Sequence, residues 1–377
     1  MRFLIFAGVF LLVMALMNYY AYRRFLRRLS PPFNRFAYVL PALLMVGEVV
    51  FIFELMTQAL ELASLAHLVL SATVGVTFLL FVVAIAYDLS ITVSAKVPLD
   101  RERRQFIKVV FDLSVLIAAS SYLFRGVVDG LKKPGINRVD VRLRDFPFED
   151  YVIVQLSDVH IGRTIRRGFL EEVVEATNAL KPDIVVITGD LVDLSVSKIG
   201  DNLEPLLRLE APTYFIPGNH EYFHGVEEIA AYLQTLNVRP LMNASTLIGD
   251  EQAGFNLVGI NDLVGTRMGI LPPDVAAAYR EADTDRCQIV LAHQPKSLEL
   301  MGDHRCDLML SGHTHGGQIF PFGLLVMAAQ PYLSGLHQHS EDTQIFVSRG
   351  TGYWGPPIRI LAPSEISYIV INPAEAV

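Results

Sequence analysis

Five short segments gather the residue types that hold metals: Asp158-Val159-His160, Gly189-Asp190 with Asp193, Gly218-Asn219-His220-Glu221, His293, and Gly312-His313-Thr314-His315. Together they carry five of the chain's 10 histidines. Imidazole and carboxylate donors suit a borderline or hard first-row cation such as Mn, Fe, Zn or Co, and this donor set excludes an iron–sulfur cluster. Thiolates take no part, because Cys287 and Cys306 fall before their apolar runs and not after them. At a strand end, x-plus-two spacing lets Asp158 and His160 point the same way, and His313 and His315 likewise. The donors Asp158, His160, Asp190, Asn219, His293, His313 and His315 over-supply a single ion. Two divalent ions sharing Asp190 is the economical reading. Glycines before Asp190, Asn219 and His313 let the backbone approach such ions closely.

Something must bring these segments together, and each follows a short apolar run: Val152–Leu156, Ile184–Ile187, Thr213–Ile216, Ile289–Leu291 and Leu308–Leu310. Between the first two lies a helical pattern through Leu170, Val173, Val174, Ala176 and Leu180, stopped by Lys181-Pro182. Strands alternating with helical stretches predict a layered α/β domain. In such sheets ligands bind beyond the carboxyl ends of strands, so the five tips are expected to converge on one edge. A lone Asp or His after a strand is usually a turn residue or a cap; five such tips in one domain are not explained that way.

The chain has 377 residues, 52% of them hydrophobic, with a mean hydropathy of +0.38, which excludes a disordered or collagen-like chain. Its net charge of −8 argues against a general nucleic-acid binder. That figure averages two unlike parts. Residues 1–134 carry 14 Lys+Arg and 8 Asp+Glu, a net +6, and residues 135–377 carry the remaining 17 and 31, a net −14. The first part holds four stretches near the ~20 apolar residues that span a bilayer: Phe3 to Tyr22, Phe36 to Met56, Leu65 to Tyr87 and Val109 to Phe124. Residues 1–134 thus read as a four-helix transmembrane anchor and 135–377 as a catalytic domain. No small-residue cleavage site marks the first span as a signal peptide.

Loop charges predict the orientation. Arg23, Arg24, Arg27 and Arg28 follow the first span; Lys96, Arg101, Arg103, Arg104 and Lys108 precede the fourth; the loop carrying Glu61 has no basic residue. The positive-inside rule places the basic loops in the cytoplasm and everything after residue 125 outside. Arg103-Arg104-Gln105-Phe106-Ile107-Lys108 also matches a twin-arginine export signal, which would engage the machinery that moves folded domains outward. A positive-inside anchor predicts the same side. Glu48, Glu54 and Asp88 sit in or beside the spans with no basic residue at matching depth, so they are expected to face the bundle interior or the interface.

The five segments resemble the calcineurin-like metallophosphoesterase superfamily, whose blocks run D-x-H, G-D-x-x-D, G-N-H-[ED], H, G-H-x-H. All five match in order over roughly residues 150–372. Ser348-Arg349-Gly350-Thr351-Gly352, Pro356-Pro357-Ile358-Arg359 and Pro363-Ser364-Glu365-Ile366 resemble the tail of its membrane-associated, exported branch. The resemblance implies a two-sheet sandwich flanked by helices, with the site at one edge. It implies that Asp158, His160 and His315 hold one metal, that Asn219, His293 and His313 hold the other, and that Asp190 bridges them. His220 becomes the proton donor to the leaving oxygen, and Asp193 orients a ligand. Glu221 stands where Asp is commoner.

These roles imply hydrolysis of a phosphoester, most naturally a diester, by a metal-bridging hydroxide on the outer side of the cytoplasmic membrane. A substrate linked to lipid or to the cell envelope fits that location. The alternative is a membrane sensor or transporter-associated protein whose metal domain is a regulatory binding module. Arg163, Arg166 and Arg167 could meet a phosphate or form a solvated helix start. His224 could line the site, His337 and His339 could rim it, and Trp354 with Tyr353 could wall it or pack on the sheet. If their strands are neighbours, Cys287 and Cys306 could form a disulfide, which the outside permits.

Overall fold

The computed structural model describes residues 2–31, 33–57, 63–94 and 100–374; Glu61 and Lys96 lie outside the described residues. The chain divides into two compact units, Met1–Leu131 with Gly355–Ile360, and Lys132–Trp354 with Leu361–Val377. The segment Gly355–Ile360 therefore goes with the helices and not with the rear domain to which its sequence position assigned it.

The helical unit contains α1 (Arg2–Arg24), α2 (Val39–Thr57), α3 (Ser64–Ser94) and α4 (Arg101–Leu131). All four are long and apolar enough to cross a membrane. The fourth starts earlier than its apolar run, because the Asp100 carboxylate accepts the Arg103 N–H at 2.9 Å and caps the helix. The Arg103-Arg104 motif is consequently helical. Its Lys108 ammonium donates to the Arg28 carbonyl at 2.7 Å and to the buried Asp112 carboxylate at 2.6 Å. Asp112 also accepts from the Ser30 backbone, the Ser30 hydroxyl and the Tyr87 hydroxyl.

Asp88 differs from expectation, since it does have basic partners. Arg28 pairs with it closely, and Arg24 Nε lies 3.7 Å away. These residues are sixty apart in sequence, and only the meeting of the α1 and α3 carboxyl ends brings them together. Glu48 is buried within the bundle, where Asn18 donates to both its oxygens and Thr77 to one. The carboxyl ends of α1 and α3 and the start of α4 thus lie at one end of the bundle. Leu131 follows Lys108 by 23 residues, about 35 Å along a helix at 1.5 Å per residue, so α4 ends at the other.

Three glycines admit the 355–360 segment. A Cβ on Gly75 would meet Ile358 at 2.6 Å, one on Gly126 would meet Ile360 at 2.7 Å, and one on Gly130 would strike the Pro357 carbonyl. The Arg359 N–H donates to the Gly126 carbonyl at 2.9 Å. In an exposed helix interior, Gly→Ala stabilises by up to ~1 kcal/mol. Here the sign should reverse: Gly126→Ala and Gly130→Ala should lower the melting temperature of the detergent-solubilised chain. Gly8→Ala, with nothing within 4 Å of the added carbon, should not. Higher melting temperatures for the first two would contradict this packing.

The second unit is a sandwich of two mixed sheets, as the resemblance implied. Its strands are β1 (Gly135–Leu143), β2 (Tyr151–Leu156), β3 (Ile184–Thr188), β4 (Thr213–Ile216), β5 (Val238–Pro240), β6 (Ala244–Gly249), β7 (Gly254–Ile260), β8 (Gln288–Ala292), β9 (Leu308–Ser311), β10 (Gly335–Gln338), β11 (Gln344–Val347) and β12 (Glu365–Pro373). One sheet runs β1-β12-β2-β3-β4-β5 and the other β10-β11-β9-β8-β7-β6. Neighbours β2 to β5 are parallel, as are β7, β8, β9 and β11. Parallel strands buried on both faces read as unbroken apolar runs, which is why Ile184–Thr188 shows no alternation.

Ile153, Val186 and Ile216 meet Leu257, Ile289 and Leu310 between the sheets. The outer face of the first sheet is covered by α5 (Arg167–Ala179), α6 (Val196–Leu203) and, beyond the short α7 (Asn219–His224), α8 (Val226–Thr235). The second sheet carries α9 (Val264–Met268), α10 (Val275–Ala278) and α11 (Gly323–Val326) in its connections. Cys287 and Cys306 are buried and free, packed in separate apolar clusters. The considered disulfide is absent, because the chain before β9 turns Cys306 away from the inter-sheet core.

Candidate metal centre

The five tips do converge, because β2, β3 and β4 are parallel neighbours in one sheet and β8 and β9 in the other. Five of the seven expected ligands lie in the left-handed region: Asp158 (φ 52), His160 (φ 55), Asp190 (φ 49), His313 (φ 69) and His315 (φ 51). Such backbone costs a non-glycine residue on the order of 1 kcal/mol and clusters where surroundings over-determine it. Those surroundings are visible. The Asp158 and His160 N–H groups donate to the Gly189 and Asp190 carbonyls at 3.1 and 3.0 Å, and the His313 N–H donates to the Asp158 carboxylate at 3.0 Å. Gly218 is required where it stands: an added Cβ would lie 2.5 Å from the Asp190 nitrogen and 2.9 Å from the His293 ring.

The expected ligands fall into two mixed groups whose donor atoms lie within 4.8 Å of one another, Asp158/His160/His315 and Asp190/His293/His313, and a third such group, His160/Asp193/His220, adds the two neighbouring side chains. In the first, His315 Nε2 is 3.1 Å from His160 Nε2 and 3.3 Å from Asp158 Oδ1. In the second, His293 Nε2 is 3.2 Å from Asp190 Oδ2. Asp190 reaches toward both groups. Its Oδ1 accepts the His220 N–H at 2.8 Å, whereas Oδ2 also stands 4.0 Å from His160 Nε2.

The tautomers follow from outer partners. His293 Nδ1 lies 2.8 Å from the Thr188 carbonyl, so Nδ1 donates there and Nε2 is the nitrogen that faces Asp190; burial opposes protonation of the ring, and Asp190 overrides that and raises its pKa. His160 Nδ1 lies 2.7 Å from Asp193 Oδ1, which likewise leaves Nε2 free to ligate. His293 Nε2 and Asn219 Oδ1 are buried without a hydrogen-bond partner among the described residues. Unsatisfied buried acceptors beside paired carboxylates fit a bound cation. Burial, reinforced by His293, pushes the His313 imidazole down to about 3, so it is neutral as a ligand must be.

His220, like His313, is only partly buried. Its side chain is 15% exposed, against at most 8% for His160, His293 and His315. Its Nδ1 lies 2.7 Å from the Asp193 oxygen that faces His160, outside in-line hydrogen-bond geometry. Burial alone would lower its pKa, but Asp190 and Asp193 override that and raise it to about 9. Burial opposes ionisation of Asp193 too, yet His160 and His220 hold its carboxyl below the usual range.

The sequence of the calcineurin-like phosphoesterase family matches residues 151–317, which contain all of these groups. A metallophosphoesterase of Helicobacter pylori is 39% identical over 370 residues, covering 97% of each chain. The chain belongs to the calcineurin-like metallophosphoesterases. A zebrafish (Danio rerio) transmembrane protein with metallophosphoesterase domain is 36% identical over 275 residues, 70% of this chain and 62% of that one. Phosphodiesterase YaeI of Escherichia coli is 34% identical over 215 residues, 54% of this chain and 75% of that one.

Other residues of this metallophosphoesterase fall on and off the site. His224 lies with its ring 6.5 Å from that of His220, and Trp354 with its ring 6.2 Å away. Tyr353 is buried in the core against the first sheet. Arg163 is half-buried, and its carbonyl accepts from Arg166. Arg167 pairs with Glu171 and Glu204 on the exposed start of α5, the solvated helix start. His337 and His339 surround Tyr332 at the edge strand β10.

Two acids matter more than their sequence suggested. Fully buried Glu221 accepts the N–H groups of Asp190, Leu191, Val192 and Gly218 at 2.7–3.1 Å, tying the β3 and β4 tips together. Asp262 follows β7 and accepts from Gln294, the residue after His293, at 2.9 and 3.0 Å. The signal for Asp262 was the same as for the other tips, an apolar run, Leu257–Ile260, ending in Asn261-Asp262. Glu221→Gln replaces an acceptor oxygen with a donor and leaves two buried N–H groups facing an amide. Orphaned donors cost about 1–3 kcal/mol each. This variant should melt several degrees below the parent and retain less metal after dialysis, measured by thermal shift and elemental analysis. Unchanged stability would show that the four bonds are dispensable.

Proposed function

We propose that this chain is a membrane-anchored, metal-dependent phosphodiesterase whose catalytic unit lies outside the cytoplasmic membrane. One observation carries the reading: two mixed nitrogen–oxygen groups meet at the buried Asp190, with the partly exposed His220 beside them. Asp158, His160 and His315 would hold one divalent cation, Asn219, His293 and His313 the second, with Asp190 between them. When bound, the two cations would neutralise charge on the phosphoryl oxygens and acidify a water. In the reaction, a P–O bond forms from water and the P–O bond to the leaving oxygen breaks. That oxygen takes its proton from His220 Nε2, a transfer typically worth about 10²–10⁴-fold. Asp193, between His160 and His220, orients both rings. The name of the Escherichia coli relative supports a diester over a monoester.

His220→Ala should retain its metals by elemental analysis while turnover of an aryl phosphodiester with Mn²⁺ falls about 10²-fold or more. Asp190→Ala should lose metal as well as turnover. Full activity in the His220 variant would overturn its role as proton donor. Absence of hydrolysis by the parent chain with any of these metals would leave a binding module.

The outward side rests on the convergence of Arg28, Arg24 and Lys108 at one end of the helical bundle, with α4 ending at the other. The positive-inside rule assigns the basic end to the cytoplasm. Arg103 and Arg104 open α4 as an export signal on this reading. Replacing both with Lys should reduce the amount of catalytic unit reached by protease in spheroplasts. Undiminished protease access would show that the pair serves as an ordinary anchor.

A further inference from the structure

An uncharged stretch follows the last two candidate ligands. No Asp, Glu, Lys or Arg occurs between Asp307 and Glu341, and within this interval Gln318–Gln330 reads Gln-Ile-Phe-Pro-Phe-Gly-Leu-Leu-Val-Met-Ala-Ala-Gln. Five of its large apolar side chains face outward: Phe320 is 50% exposed, Phe322 41%, Leu324 61%, Leu325 63% and Met327 50%, whereas Ile319 is buried. A contiguous apolar surface of this kind marks a binding face and not an ordinary surface.

The exposure does not come from a loose loop. Gly317 and Gly323 touch at its base, where a Cβ on either would collide with the other strand of the loop or with Leu333. The Thr314 hydroxyl donates to the Leu333 carbonyl at 2.6 Å. Gln330 donates to Gln294 at 3.0 Å and accepts the Lys296 N–H at 3.1 Å. At the other end Gln318 exchanges two hydrogen bonds with the Trp354 backbone, at 2.8 and 3.0 Å. The indole of Trp354, itself half-exposed, lies beside His220. The loop is therefore held open, and it is tied to the edge of the metal centre.

We propose that Gln318–Gln330 inserts into the surface of the lipid bilayer and presents membrane lipids to the metal centre, so that the substrate is a phosphodiester whose apolar part stays in the membrane. For its chemistry this rests on the phosphodiesterase reading; for its geometry it does not. The occupant is a bilayer because the chain itself guarantees one. Only Lys132, Lys133 and Pro134 separate the membrane helix α4 from β1, and the residue after Trp354 re-enters the helical unit. Aromatic and aliphatic side chains on a rigid loop suit the headgroup boundary.

The test uses the full chain in nanodiscs of phosphatidylcholine and phosphatidylglycerol. Leu325→Trp in a Trp354→Phe background leaves one tryptophan, on the loop. Doxyl-labelled phosphatidylcholine should quench it, and aqueous iodide should not. Quenching by iodide alone, or by neither reagent as under a protein partner or a second copy, overturns bilayer contact. In parallel, the double variant Leu324→Ser, Leu325→Ser should hydrolyse soluble bis(p-nitrophenyl) phosphate within about twofold of the parent. Its release of headgroup from phosphatidylglycerol should fall about tenfold or more, as interfacial binding scales with buried apolar area. Equal losses on both substrates, or none on either, overturn the presenting role. A parent chain that hydrolyses no diester yet is quenched by lipid would sink the phosphodiesterase reading and leave the bilayer contact standing.

Discussion

The candidate metal centre depends on how one buried carboxylate is divided. Asp190 gives Oδ1 to the His220 backbone N–H and leaves Oδ2 among the imidazoles of His293, His220 and His160. A buried carboxylate without compensation would cost several kcal/mol. Burial works against its ionisation, and His293 and His220 more than offset that, holding its carboxyl well below the usual range. Asp158, Asp193 and Glu221 add three more acids to the same small volume. As a metal ligand His293 would be neutral and would no longer offset these carboxylates, and divalent charge would take its place.

The same centre stores conformational strain, and the fold spreads the cost. Left-handed residues at 158, 160, 190, 313 and 315 lie past the strand ends, so local backbone turns and not the alternation of an extended strand aim their side chains. Each of the two sheets tolerates tips of this shape because its parallel strands are clamped over their whole length by cores on both faces. Glu221 then fastens the β3 tip to the β4 tip through backbone groups and not through the ligands themselves. Here the glutamate matters beyond its charge. Its two oxygens span from Gly218 to Val192, which accounts for the choice of side chain at the position after the candidate proton donor.

The convergence of the candidate ligands was legible because each combined a local signal with a consequence of topology: an apolar run, a glycine or a polar tip, and a rule about where parallel sheets bind ligands. Elements lacking such a signal were missed. Strand β1, Gly135–Leu143, mixes Asn, Arg and Asp into its run and is a strand because β12 pairs with it over nine residues. The Arg28–Asp88 pair and the docking of 355–360 against Gly126 and Gly130 depend on distant segments meeting. Their residues look ordinary in sequence, and only packing gives them partners. The longer extent of α4 reflects a cap at Asp100, a signal outside the apolar run that located the span.

Charge also bears on how the catalytic part could meet a membrane. Residues 135–377 carry a net −14, and two divalent cations would reduce that only to about −10. Anionic headgroups would repel a body of this net charge. An apolar contact is best sited where local charge is least. The interval from Leu308 to Ser340 is the longest in this unit without an acidic or basic side chain, histidine aside, and it runs from β9 through His313 and His315 into the exposed loop. The absence of charge there matches what a rigid, lipid-facing element beside the metals requires, and a purely structural connection between β9 and β10 would not need it.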